Sequence, residues 1–213
     1  MIKKNLKTLI ITTIVTLLPI LAGLILWDKL PDQIATHFNA DGAADGFSSK
    51  AFGVFGLPVI LAVLHWICTI GTNADPKQKN HSDKMLTLVL WVCPVISLIV
   101  SSVIYTHAMG ISLDVSLVML LLCGAMFIVI GNYLPKCKQN YTIGIKIPWT
   151  LNDEENWNYT HRVSGKIWVA GGIVILLTAV FKQMWIFFVI TAIMVIVPFV
   201  LSYLFHRKKN KNS

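Results

Sequence analysis

NYTIGIKIPWTLNDEENWNYTHRVSG, residues 140–165, is the longest polar interval in an otherwise apolar chain. It gathers Trp149, Trp157 and His161 with most of the carboxylates of the second half. On either side lie apolar runs of about 20 residues, the length at which a helix crosses a hydrocarbon core about 30 Å thick. A polar interval between two such runs reads as a loop held at a bilayer surface. That reading sets the fold class for the rest of the chain.

Composition agrees. Of 213 residues, 55% are hydrophobic and 13% charged, and the mean hydropathy is +0.69. Soluble domains are roughly a quarter charged, so the balance excludes that class. A net charge of +8 in a soluble domain would suggest nucleic acid as a partner. Here the basic residues collect in the loops of one side, which is the bias that orients membrane proteins, and no direct nucleic-acid partner is expected. Cys68, Cys93, Cys123 and Cys137 show no C-x-x-C spacing, and three of them fall in apolar runs. They read as small hydrophobes, with no disulfide or zinc framework. Lys3, Lys4 and Lys7 before an apolar run resemble a secretory signal. The run 9–27 is longer than a signal core and no A-x-A site follows it, so it is taken as an uncleaved first span.

Six segments reach spanning length: 9–27, 51–71, 85–105, 113–134, 164–181 and 184–205. Lipid leaves backbone groups without partners outside helices and closed barrels, and the alternation of barrel strands is absent. The fold class is therefore an all-α bundle of six transmembrane helices. With the N-terminus cytoplasmic, fifteen of the eighteen Lys and Arg residues lie inside and only Lys29, Lys50 and Lys182 outside. Both termini are accordingly expected in the cytoplasm. The basic tail HRKKNKNS is expected to touch anionic headgroups of the lipid bilayer. The domain boundary is drawn after residue 84, giving a two-span region 1–84 with an extracellular loop 28–50. A four-span region 85–213 follows, with a cytoplasmic loop 135–163.

The outer loop breaks helix at Leu30-Pro31 and carries turn signals at Asp41-Gly42 and Asp45-Gly46. It is net acidic and also holds His37 and Asn39. From these residue types alone it reads as a solvated connector of turns, with Pro31, His37, Asn39, Asp41, Gly42 and Asp45 as the exposed candidates for recognition. Within the spans, Pro19, Pro58, Pro94 and Pro198 predict kinks whose freed carbonyls need other donors. Gly124-Ala125 and Gly171-Gly172 predict close helix contacts. Charges inside spans are almost missing, which disfavours a proton or ion path. Lys166 is near enough to a helix end to snorkel, and His65 and His107 read as hydrogen-bonded packing residues.

In the inner loop, residues 143–148 alternate and end at Pro148, so they read as extended or re-entrant. Thr150 to Asp153 has capping-box spacing, with Thr150 or Asn152 as the cap and Asp153, Glu154 and Glu155 in a first turn. The expected helix is amphipathic, lies in the interface and bends into the fifth span near Gly165. On it Trp157, His161 and Gly165 share a face, and Trp149 and Trp157 sit at headgroup depth. The loop reads either as an interfacial anchor or as a docking surface of indole faces, carboxylates and basic residues. No H-E-x-x-H, G-x-S-x-G or P-loop pattern occurs. His161 with Glu154 or Glu155 lacks a third metal ligand, and a metal held by His37, Asp41, Asp45 and His107 is a minor alternative. No catalytic residue, metal or cofactor is expected, and the chain is not read as an enzyme.

Gly131-Asn132, Asn140, Ile143-Gly144-Ile145-Lys146, Pro148-Trp149-Thr150-Leu151, Glu155, Trp157, His161-Arg162 and Gly165 hold identity and spacing together across residues 131–165. Through them the chain resembles the SdpI family of bacterial membrane immunity proteins, and YfhL-like relatives. Leu30-Pro31, Ile34, His37-Phe38-Asn39, Gly42, Asp45-Gly46 and Lys50 resemble the small domain that commonly precedes it. The resemblance implies a multi-pass cell-membrane protein that protects a producer from a secreted antimicrobial peptide toxin. In the best-known member, toxin binding also lets the membrane protein sequester a cytosolic transcriptional repressor. On that basis Asn140, Gly144, Lys146, Pro148, Trp149, Thr150, Glu155, Trp157, His161 and Arg162 become candidates for the cytoplasmic partner surface. The outer loop becomes the toxin-facing one. The alternative from a different class is a transporter or exporter of a small amphipathic molecule, since the two half-chains share an inverted outline.

Overall fold

A computed structural model describes residues 2–211; the side chains of Lys3 and Lys4, and Asn212 and Ser213 of the basic tail, lie outside the described residues. Among the described residues, six helices are long and apolar enough to cross a membrane: Asn5–Ile25, Phe52–Asn73, Asp83–Ala108, Val115–Lys136, Glu154–Phe181 and Met184–Lys211. The chain divides into two compact units.

The first unit runs to Ala74 and adds Asp83–Val115. It contains α1 (Ile2–Ile25), β1 (Gln33–Phe38), β2 (Ala44–Ser49), α2 (Leu57–Asn73) and α3 (Asp83–Ala108). By packing, the third span therefore groups with the first two, whereas the sequence reading divided the chain after residue 84. Pro19 lies inside α1, and neighbouring hydroxyls reach the carbonyls around it. Tyr105 Oη donates to Pro19 O at 3.1 Å and Ser97 Oγ to Thr16 O at 2.7 Å, so α3 is tied to α1 by hydrogen bonds beside the proline. His65 is buried and bonds Thr12 Oγ1 at 3.0 Å. His107 packs against the edge of Phe38 at 5.1 Å. Pro58 lies within the span Phe52–Asn73, at the start of α2 and directly after a π-helical turn at Phe52–Gly56.

The outer loop departs most from expectation. It is not a connector of turns but an antiparallel hairpin, so the bundle carries a small sheet and is not purely α. An isolated hairpin is marginal in water, and this one is held by what it buries. Leu30 and Ile34 join Val54, Ile104 and Tyr105 in a closed apolar cluster, each contributing about 1.5–3 kcal/mol. Gly53 is a glycine because any Cβ there would overlap the Ile34 side chain. Lys50, an outside lysine by sequence, reaches back beneath the loop. Its Nζ donates to Trp27 O at 3.3 Å and Leu30 O at 3.2 Å and lies 4.9 Å from the Trp27 ring.

The second unit comprises Asp75–Ser82 and the chain from Ser116, with α4 (Val115–Tyr133), α5 (Pro148–Asn152), α6 (Glu154–Thr178) and α7 (Met184–Lys211). Glycines let α4 and α6 touch backbone to backbone. A Cβ on Gly172 would lie 2.6 Å from Gly124 O, and one on Gly165 would lie 2.7 Å from Gly131 O. Gly171 faces the other way, against Met194 and Ile190 of α7. The contact faces expected at Gly124 and at Gly171-Gly172 are thus present. Lipid tails give no hydrophobic drive for helix association, so close van der Waals contact of this kind supplies it.

Candidate functional site

The loop between α4 and α6 is tied down from three sides by its own polar groups. Asn140 is buried and uses its whole amide. Its Nδ2 donates to Lys138 O and Ile143 O, both at 2.9 Å, and its Oδ1 accepts from Thr142 N at 2.9 Å and Ile143 N at 2.6 Å. Gln139 Nε2 donates to Thr150 O at 2.8 Å and Leu151 O at 2.9 Å, which fastens the start of the loop to α5. Thr150 Oγ1 donates to Ile145 O at 2.8 Å and accepts from Ile147 N at 3.1 Å. Backbone that no ladder pairs is in this way satisfied by side chains.

His161 and Trp157 form the wall against which the loop closes. Both are buried, at 1% and 0% exposure, with rings stacked 4.0 Å apart. His161 Nδ1 pairs with Trp157 O at 2.8 Å, as i and i+4 on one helix allow, and its Nε2 accepts from Ile145 N at 2.9 Å. Nδ1 therefore carries the proton in a neutral ring. Trp157 Nε1 donates to Cys137 O at 2.7 Å, and burial pushes the Cys137 thiol up to about 11. Gly144 crosses this pair with φ +116°; a Cβ there would overlap His161 Nε2 and lie 3.2 Å from the Trp157 ring.

These positions correct the sequence reading in three respects. The cap of the helix is neither Thr150 nor Asn152. Asp153 takes that role, its Oδ1 accepting from Glu155 N at 2.9 Å and Asn156 N at 3.3 Å. No separate interfacial helix bends at Gly165: α5 is a single short turn, and α6 runs unbroken from Glu154 through Gly165. Trp157 and His161 offer no outward face. Trp149 turns onto α7, 5.2 Å from both Phe199 and Tyr203. Of the residues singled out, Lys146, Pro148, Glu155 and Arg162 are the exposed ones. Glu155 shares Lys209 with Asp153, at 2.7 and 2.9 Å.

Sequence reasoning missed the far partner of this loop, the segment Asp75–Ser82. Asp75 Oδ2 accepts from Tyr141 N at 2.9 Å, Thr142 Oγ1 at 2.8 Å and His81 Nε2 at 3.2 Å, and its Oδ1 from Lys77 N at 2.7 Å. Burial works against the Asp75 charge, but the donors from Lys77, Thr142, Tyr141 and His81 hold its carboxyl below the usual carboxylate range. Lys77 also bonds Gln139 Oε1. Asn156 and Ser202 were missed as well. They join α6 to α7 through Asn156 Nδ2 to Ser202 O at 3.0 Å and Ser202 Oγ to Asn156 Oδ1 at 2.7 Å.

In the first unit the hairpin brings together the candidates of the outer loop. His37 Nδ1 and Asp45 Oδ1 are 2.5 Å apart across the strands, both exposed. Asn39 Oδ1 accepts from Asp41 N at 3.0 Å and Ala43 N at 2.9 Å, and Gly42 takes φ +80° to close the tip. Phe47, opposite Ala35, is 60% exposed. Pro31 precedes β1 and is exposed. Among the described residues no three His, Cys, Asp or Glu side chains gather as a metal site. Within each of these loops, several polar groups bond to others of the same loop.

Six apolar helices, with the similarity reported below, make this a multi-pass cell-membrane protein. Residues 136–202 match the SdpI/YfhL protein family, and residues 14–62 match a domain of unknown function, DUF1648. The first match contains the loop site and the second the hairpin. From end to end the chain is similar to the Immunity protein SdpI of Bacillus subtilis (strain 168), 27% identical over 217 residues that cover 98% of each chain. No solved structure matches. The resemblance to the SdpI family read from residues 131–165 is thus supported over the whole chain.

Proposed function

We propose that this chain is an immunity protein of the bacterial membrane, protecting its cell from a secreted antimicrobial peptide by recognition, without catalysis. The observation that carries the reading is the similarity to an immunity protein along 98% of both chains, spans and loops alike. The hairpin 28–50 is the toxin-facing element, with Pro31, His37, Asn39, Asp41, Gly42 and Asp45 near or on its rim and Phe47 as an apolar contact. The inner loop serves a cytosolic partner, a transcriptional repressor in the fullest form of the reading. Its contact surface consists of Lys146, Pro148, Glu155 and Arg162, with Asn140, Gly144, Thr150, Trp157 and His161 shaping it from below and Trp149 bracing it on α7. Linking the two faces requires two arrangements of the bundle that each ligand biases.

The test is expression in a cell killed by the cognate peptide. Survival should rise with the inserted protein; unchanged survival at normal membrane levels contradicts protection. His37→Gln with Asp45→Asn should lower survival while leaving partner capture intact, and Lys146→Gln with Arg162→Gln should do the reverse. Equal loss of both functions in both variants would contradict the division of labour.

A further inference from the structure

One cavity is built mainly by spans, outside both loops except for Pro135. On the flank of α4 and α6 a groove of about 400 Å³ opens sideways. Its floor is the contact of Gly131 with Gly165, where missing side chains let the two backbones meet. Asn132 and Pro135 stand on one wall; Lys166, Val169, Ala170 and Ile173 line the other. The α6 wall follows positions i, i+3, i+4 and i+7, one stripe about 10 Å long at 1.5 Å per residue. That is about a third of a hydrocarbon core about 30 Å thick.

The two ends of this stripe differ in chemistry. Ala170 and Ile173 are exposed within a membrane span, where their neighbour is lipid tail. Lys166 and Asn132 sit at the loop end, exposed, with no side-chain hydrogen-bond or ion-pair partner among the described residues. No residue lining the groove is acidic. A cation at the edge of a span needs an anion or water to offset its desolvation.

We infer that the groove seats one anionic phospholipid, with its phosphate against the Lys166 ammonium and the Asn132 amide and its acyl chain along Val169, Ala170 and Ile173. A single positive charge above an apolar trough matches an amphiphile with an anionic head, and a lateral opening admits it from the bilayer.

Native mass spectrometry of the full-length protein in detergent, with equimolar phosphatidylglycerol and phosphatidylcholine of matched chains, tests this. The first bound lipid should favour phosphatidylglycerol by about fivefold, the factor given by about 1 kcal/mol of headgroup attraction. Lys166→Gln should bring the ratio near one. Ala170→Phe, which fills the trough, should cut occupancy by both lipids at unchanged helix content. Lys79→Gln, at an exposed lysine of the segment Asp75–Ser82, should change neither. The proposal is overturned if Lys166→Gln keeps the preference, if Ala170→Phe leaves occupancy intact, or if Lys79→Gln costs as much as Lys166→Gln.

Discussion

Gly144 is where backbone and side-chain constraints coincide most tightly. Its φ of +116° is open to glycine and strained for other residues, and the Trp157–His161 stack leaves no space for a methyl group. Gly144→Ala should lower stability by about 1–3 kcal/mol, read as an earlier unfolding midpoint in detergent; an unshifted midpoint would mean the loop has room to move. Trp157→Phe keeps the ring but leaves Cys137 O unpaired in a buried place, at a cost of about 1–3 kcal/mol. Asp75 gives the loop a pH dependence. Its carboxyl is held below its ordinary value, so the unfolded chain binds more protons over the interval between the two. The stabilisation is full above the ordinary value of about 3.9 and is lost as pH falls through the lower folded one. Asp75→Asn should flatten that acid limb of a stability-against-pH curve; an unchanged limb would assign it to other carboxylates. None of these roles was legible locally. Asp75 meets Tyr141 and Thr142 across more than sixty positions, and no spacing rule links them.

At the scale of elements, what reads along a helix was visible and what depends on contact was not. The six spans and the glycine faces at 124 and 171–172 follow from composition and periodicity. The hairpin did not, because the buried Leu30 and Ile34 are few among the polar residues of the loop and their partners Val54, Ile104 and Tyr105 lie beyond it. The cap of α6 was placed too early because Thr150 satisfies the same spacing rule. In the fold its hydroxyl is engaged by Ile145 O and Ile147 N. These assignments give opposite expectations for two variants. Asp153→Ala should cost about 0.5–2 kcal/mol through the first turn of α6, with faster amide exchange at residues 154–156. Thr150→Val should instead speed exchange at Ile147 and leave that turn protected. The reverse pattern would restore Thr150 as the cap.

At the scale of the molecule, the spans set the depths at which two surfaces meet water. The bias of the basic residues predicts the direction: the hairpin outside, the loop with its basic rim inside. The proposed protection and partner capture both rest on that placement, since a toxin arriving from the medium would meet only what is outside. The direct measurement is thiol labelling with a membrane-impermeant maleimide in intact cells, comparing Ser49→Cys on the hairpin with Asn152→Cys at the end of α5, both exposed positions. The account predicts that Ser49→Cys labels in intact cells and Asn152→Cys only after permeabilisation. Labelling of Asn152→Cys in intact cells, with Ser49→Cys protected, would contradict it.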